Sequence, residues 1–171
     1  MNDNNWIRII PLGGLGDIGK NMMVVETSND ILVIDSGVLF PDSEMPGADL
    51  VLPDMNYIKK NSNKVRGLLI THGHEDHIGS VPYLLEHVNV PIYAPPFASE
   101  LIYKKLKRSR IKQKINLIPI TVGDQQKIGD FFVEWFSVCH SIPDSTGLLI
   151  DTPKGKIIHT GDFKIDHNPI L

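Results

Sequence analysis

The stretch Thr71-His72-Gly73-His74-Glu75-Asp76-His77-Ile78-Gly79 gathers three imidazoles and two carboxylates between residues 72 and 77. In an extended segment side chains alternate, so His72 and His74 project to one side and can grip one ion, while Glu75 points elsewhere. Asp76 and His77 follow directly and can serve a second ion. Neutral imidazole and carboxylate oxygen suit zinc or another borderline divalent ion and leave a position for water, and they also accept manganese or iron. As a bland alternative, the histidines are solvated and Asp76 merely caps a helix. A cluster this dense, directly after an apolar run, is a poor fit to that alternative.

These ligands need a rigid support. The apolar run Gly67-Leu68-Leu69-Ile70 predicts a buried strand, and Asp76 to Val88 predicts a helix with Ile78, Val81, Leu84, Leu85 and Val88 on its apolar face and Pro82 in its early turns. Two later strand ends deliver the same chemistry. Phe131 to Cys139 leads into His140, and Lys156 to His159 leads into Thr160-Gly161-Asp162. His72, His74 and His140 then make a three-imidazole set, Asp76 and His77 begin a second, and Asp162 is suited to bridge two ions. Asp76, His77 and Asp162 are thereby the expected catalytic set, acting on water through the ions they hold. Asp35, closing the strand Ile31 to Asp35, is expected to orient a ligand loop from behind rather than to bind metal. His159 lies within a strand, His87 and His167 stand alone and are expected at the surface, and Cys139, facing away from His140, is expected in the core.

The opening of the chain predicts strands over Trp6 to Leu12, Asn21 to Thr27 and Ile31 to Asp35. Between the first two lies Gly14-x-Gly16-x-x-Gly19, a dinucleotide-type glycine pattern. That function requires the glycines to open a helix, whereas Asn-Met-Met-Val-Val-Glu-Thr follows, so a β-hairpin is the better fit. The Pro- and Gly-punctuated segment Phe40 to Asp49 reads as an ordered loop whose carboxylates either hold a hard cation such as calcium or are plainly solvated. A short helix over Asp54 to Asn61, a strand over Val90 to Ala94 and a helix over Ala98 to Lys112 come next. The last brings Lys104, Lys105, Lys107, Arg108, Arg110, Lys112 and Lys114, a run that can contact phosphates or simply be a solvated face. Strands over Ile115 to Thr121, Gln126 to Ile128 and Thr146 to Asp151 complete the pattern.

The bulk properties narrow the class. At 171 residues and 42% hydrophobic content the chain is the size of one soluble domain. A net charge of -3 makes no global case for nucleic acid, so a polyanion partner has to rest on a local patch. A single cysteine excludes an internal disulfide framework and is consistent with a reducing compartment. The start carries no basic and apolar leader pattern and no run reaches membrane-spanning length, so a cytoplasmic protein without a membrane partner is expected.

Taken together, Thr71-His-Gly-His-Glu-Asp-His-Ile-Gly79, His140 and Thr160-Gly-Asp162 resemble the metallo-β-lactamase superfamily. More narrowly, Gly13-Gly-Leu-Gly-Asp-Ile-Gly-Lys-Asn21, Asp35-Ser-Gly-Val-Leu-Phe-Pro41, Val81-Pro-Tyr-Leu-Leu85, His140-Ser-Ile-Pro-Asp-Ser145 and Thr160-Gly-Asp-Phe-Lys164 are similar to the ribonuclease J family. The resemblance spans nearly the whole chain. It implies an α/β fold, the αββα metallo-β-lactamase sandwich, with two zinc or manganese ions cleaving RNA from the 5′ end and internally, in ribosomal RNA processing and messenger RNA decay. On it, His72, His74 and His140 hold one ion, Asp76 and His77 the other, and Asp162 bridges them. Gly47 and Asp49 fall where a structural calcium binds. The segment from His140, with Ser141 and Ser145, lies beside the scissile phosphate. Ser80 replaces a common glycine and Asp17 a usual glutamate.

Family members are longer, so residues 1–171 are expected to be the N-terminal portion of the metallo-β-lactamase-like domain, without the β-CASP and C-terminal domains. A homo-oligomer is implied for the full-length protein and weak activity for this portion alone. Other classes compatible with the residues are a non-catalytic partner or regulatory paralogue, and a thioesterase or lactonase of the same superfamily.

Overall fold

In the computed structural model, residues 6–16 and 18–168 are described. Asp17 therefore lies outside the described residues. The chain begins as an antiparallel meander of β1 (Arg8–Gly13), β2 (Met22–Glu26) and β3 (Ile31–Ile34). It then switches to parallel strands β4 (Val65–Leu69), β5 (Ile92–Ala94) and β6 (Leu117–Pro119), giving one six-stranded sheet in sequential order. Parallel neighbours need crossovers, and helices supply them. α1 (Asn56–Lys60) joins β3 to β4, α2 (Glu75–Ile78) and α3 (Val81–Leu85) join β4 to β5, and α4 (Pro96–Arg108) joins β5 to β6.

β3 reads Ile-Leu-Val-Ile and is buried at every position, as a strand covered on both faces must be. Ile31 and Val33 pack toward the helices with Ile58, Leu84 and Ile102, whereas Leu32 and Ile34 pack toward a second sheet. That sheet is an antiparallel meander of β7 (Gln125–Ile128), β8 (Phe131–Ser137), β9 (Thr146–Thr152) and β10 (Gly155–His159). Its inner face contributes Phe131, Val133, Trp135, Leu148 and Ile150 to the core between the sheets. The result is three layers, helices on sheet on sheet, the implied sandwich without its outer helical layer among the described residues. None of the described helices is long and apolar enough to cross a membrane.

The glycine-rich segment is a hairpin connection, not a helix start. Gly14, Gly16 and Gly19 all have positive φ, and β1 and β2 pair across them. The helix expected from Asp76 to Val88 is broken in two. In a continuous helix the carbonyls of Asp76 and His77 would accept the amides of Ser80 and Val81. Here the Asp76 carbonyl accepts from the Asn21 amide at 3.0 Å, the His77 carbonyl from the Ser36 amide at 2.7 Å, and the Ser80 amide donates to Ser36 at 2.8 Å. Pro82 has no amide to offer Ile78. The expected 98–112 helix runs instead over Pro96–Arg108, because Pro96 suits a first helical turn and Ser109 turns to an extended conformation. Cys139 is half-buried and not in the core. β8 ends at Ser137, where the Val138 amide turns to the Ser145 carbonyl at 3.2 Å, so strand alternation no longer governs residue 139.

Candidate metal centre

Four strand ends meet at one edge of the sandwich: the segments after β3 and β4 from the first sheet and those after β8 and β10 from the second. The two halves are tied at Thr71, whose carbonyl accepts both the amide and the hydroxyl of Thr146 at 2.9 Å. The Lys164 amide donates to the Cys139 carbonyl at 2.8 Å, which holds the Asp162 segment beside His140.

His72, His74 and His140 converge as expected from their strand ends. His74 Nδ1 lies 3.0 Å from His72 Nε2 and 3.2 Å from His140 Nε2. Three nitrogens bound to one tetrahedral ion at about 2.0–2.1 Å would stand roughly 3.4 Å apart, so the trio has the spacing of such a set. The tautomers agree. Asp35 Oδ2 accepts from the Thr71 hydroxyl at 2.9 Å, leaving Thr71 Oγ1 to accept from His72 Nδ1 at 3.0 Å. The lone pair of His72 Nε2 is thereby aimed into the cluster.

The second set forms around His77, whose Nδ1 donates to Asp35 Oδ2 at 2.8 Å. Its Nε2 lies 3.4 Å from Asp162 Oδ2 and 3.6 Å from Asp76 Oδ2. Asp162 Oδ2 is also 3.8 Å from His140 Nε2, so one carboxylate oxygen reaches both sets. The second group of converging donor atoms is His72, His77 and Asp162. Asp76 stands at its edge, where Asn21 Nδ2 donates to its Oδ2 at 3.2 Å and to its carbonyl at 3.1 Å.

Charge follows this geometry. Burial holds His72 down to about 3, with the neighbouring His77 adding to the effect and Asp35 opposing it, so His72 stays neutral. Burial also depresses His77, but Asp35, Asp162 and Asp76 outweigh it and raise the ring to about 10. Burial lowers His140 as well. Asp162 is lowered by its hydrogen bond to His77 first of all. Burial would raise the Asp35 carboxyl, yet the His77 charge and hydrogen bond leave it lowered. Asp35 itself has a φ of 59°, a left-handed strain in a non-glycine residue that points its carboxylate back at Thr71 and His77.

The other expected positions stand apart. His159 is half-buried beside Asp162 and its Nδ1 accepts the Gly161 amide at 3.2 Å, while His87 and His167 are exposed. Gly47 and Asp49 are exposed in the long loop, and Gly47 has a φ of 85°. Ser141 is exposed, whereas Ser145 is buried with its hydroxyl donated to the Ile142 carbonyl at 3.0 Å. Asn21 and Thr71 join the site without being among its expected residues. Thr71 opens the histidine motif and Asn21 closes the glycine stretch, but only their hydrogen bonds disclose what they hold.

An α/β sandwich whose strand ends converge on a three-imidazole set and an imidazole–carboxylate set defines a protein suited to divalent metal. The chain belongs to the metallo-beta-lactamase superfamily, whose sequence profile matches residues 15–170. Among proteins it is similar to, Ribonuclease J of Helicobacter pylori (strain ATCC 700392 / 26695) is 45% identical over 99% of this chain and 25% of its own length. Ribonuclease J 1 of Streptococcus pyogenes serotype M3 is 43% identical over 97% of this chain and 30% of its own length. This chain thus spans 25–30% of the length of these two curated relatives. Among solved structures, the metallo-beta-lactamase fold protein YhfI from Bacillus subtilis superposes with a TM-score of 0.66 at 13% identity, covering 94% of this chain and 64% of that one. A protein of unknown function from Enterococcus faecalis V583 superposes with a TM-score of 0.69 at 20% identity, over 92% and 44% of the two chains. At these identities the two structures speak for the fold alone.

Proposed function

We propose that this chain is the metal-binding part of a ribonuclease of the ribonuclease J type, hydrolysing RNA phosphodiester bonds from the 5′ end and internally. The observation that carries this reading is the likeness to proteins named ribonuclease J across nearly all of the chain, coinciding with the convergent His and Asp donors. His72, His74 and His140 would hold one divalent ion, and Asp76 and His77 a second, with Asp162 between them; zinc is the first choice and manganese the second. When bound, such ions supply Lewis-acid chemistry, activating water and offsetting charge that develops on a phosphoryl oxygen. The chain's own contribution is orientation. Asp35 sets the ring of His77 directly and that of His72 through Thr71, and Asn21 holds the Asp76 carboxylate toward His77.

Several finer assignments belong to the same proposal. Residues 1–171 form the first portion of the metallo-β-lactamase-like domain of a longer, oligomeric protein of the cytoplasm, acting in ribosomal RNA processing and messenger RNA decay. Ser141 and Ser145 flank the substrate phosphate, and Gly47 and Asp49 belong to a calcium loop.

Elemental analysis and cleavage of 5′-monophosphorylated RNA test the reading together. The three-imidazole site should fill first, because its donors are already gathered and burial lowers His72 and His140, whereas His77 must give up a proton. Cleavage by this chain alone should be weak, metal-dependent and lost in His72→Ala. Hydrolysis of thioesters or lactones in place of RNA, or equal and full occupancy of both sites in the purified chain, would overturn the proposal.

A further inference from the structure

Seven of the 17 Lys and Arg residues fall between Lys104 and Lys114, where there is no acidic residue, leaving ten against 20 Asp and Glu over the remainder of a chain with net charge -3. An ordinary solvated helix face interleaves its signs and forms ion pairs between neighbouring turns. This one does not. Lys105 alone meets a carboxylate, Glu75 at 2.7 Å, and Lys107 lies over the Tyr103 ring at 4.3 Å. For Lys104, Arg108, Arg110, Lys112 and Lys114 there is no carboxylate partner among the described residues. The positive charge is therefore concentrated and uncompensated.

It also has a shape. A groove of about 420 Å³ runs between α3 and the end of α4, with Lys105, Arg108 and Arg110 on one wall and Tyr83, 39% exposed, on the other; Glu86 is its one acidic lining residue. Lys105 links it to the segment that carries the candidate metal donors. Glu75, the partner of Lys105, stands in the chain between His74 and Asp76. Guanidinium forks match phosphate oxygens, an exposed tyrosine offers a face on which any base can stack, and a cationic groove with an aromatic wall is the usual design for single strands.

We propose that the groove between α3 and α4 binds the backbone of single-stranded RNA as a track leading away from the metal centre, with Arg108 and Arg110 on phosphates and Tyr83 stacking a base. This rests on the ribonuclease reading for the choice of RNA. It is separable from it, because binding here needs no metal.

The test is a titration of this chain, in chelator at low salt, with a fluorescent oligouridylate of about ten nucleotides, repeated over a salt series. Arg108→Gln with Arg110→Gln should weaken binding by roughly tenfold or more and make the log–log salt slope shallower by about 1.4, two phosphate contacts at about 0.7 each. Arg108→Lys with Arg110→Lys should restore the slope. Tyr83→Leu should cost at least about fivefold with the slope unchanged. Unaltered circular dichroism and metal uptake would show that the variants fold.

Equal affinity and slope for wild type and the Gln pair would overturn the track, as would an equal loss in Lys127→Gln with Lys156→Gln on the second sheet. So would displacement of the RNA by polyglutamate as readily as by unlabelled oligouridylate of equal charge, which would make the groove a site for an acidic protein segment. A wild-type chain that binds no RNA overturns it too, and leaves the ribonuclease reading to the metal-dependent cleavage assay. Binding through the groove without any cleavage would sink that reading and not this one.

Discussion

Asp35 concentrates more consequence than any other single side chain at the site. It is buried, strained at a φ of 59°, and accepts from the Thr71 amide at 2.8 Å, the Thr71 hydroxyl at 2.9 Å and His77 Nδ1 at 2.8 Å. Asp35→Asn removes the charge and one acceptor, so neither His72 nor His77 keeps its ring orientation. Divalent-ion affinity, measured by competition with a chromophoric chelator, should fall about 10- to 100-fold while the fold is retained. The same pair of rings makes a pH prediction for the metal-free chain. His77, raised to about 10, contributes stability that is complete below its unfolded value near 6.5 and is lost as pH rises toward 10. His72, lowered to about 3, contributes stability that is complete above about 6.5 and is lost as pH falls toward 3. Thermal melts in chelator should therefore show these two contributions greatest near pH 6.5, and His77→Gln should flatten the alkaline limb and also alter the acid one, because the His77 charge helps to lower His72, Asp35 and Asp162.

Between the elements, the short helix α2 is held by segments distant in the chain rather than by its own length. Four residues make little helix by themselves. The Val38 amide donates to the Glu75 carbonyl at 3.1 Å, Asn21 to Asp76 at 3.0 Å, Ser36 to His77 at 2.7 Å and Gly37 to Asn21 at 2.9 Å. These segments interlock so closely that a Cβ at residue 37 would run into the Asp76 carbonyl. Gly37→Ala should destabilise the chain by about 1–3 kcal/mol through overpacking, seen as a lower denaturation midpoint. Because the strain lands on the Asp76 and His77 backbone, the second ion should be lost before the first. Equal loss of both ions would show that the junction does not separate the two sets.

At the scale of the whole molecule, the helices cover one face of the first sheet and nothing among the described residues covers the outer face of the second. Phe132 is 43% exposed and Ile158 67% exposed on that face, interleaved with Glu134, Asp151 and Lys156. Apolar side chains presented beside an edge strand such as β10 favour association. Light scattering should show this chain associating as its concentration rises, and Ile158→Lys should suppress that without changing metal uptake. A monodisperse monomer at high concentration, with and without the substitution, would remove the prediction.

Most of the set of converging donor residues was legible in the sequence, because the spacing that gathers them is local. Two residues of spacing put His72 and His74 on one side of an extended segment, and apolar runs marked the strands that end at His140 and Asp162. Strand alternation and turn chemistry act over a few residues, so the hairpin after Gly13 and all ten strands of the described residues could be anticipated to within a few positions. What only the tertiary structure decided was who takes each hydrogen bond. The split of α2 from α3 and the orienting work of Asn21 and Thr71 depend on partners tens of residues away, and the placing of Cys139 beyond β8 depends on the return of the chain to Ser145. A backbone carbonyl has no sequence signature for the amide it will accept. The same limit applied to the basic run from Lys104 to Lys114: its charge could be counted in the chain, but the groove it lines with Tyr83, and its contact with Glu75 beside the histidines, exist only once α3 and α4 are packed on the sheet.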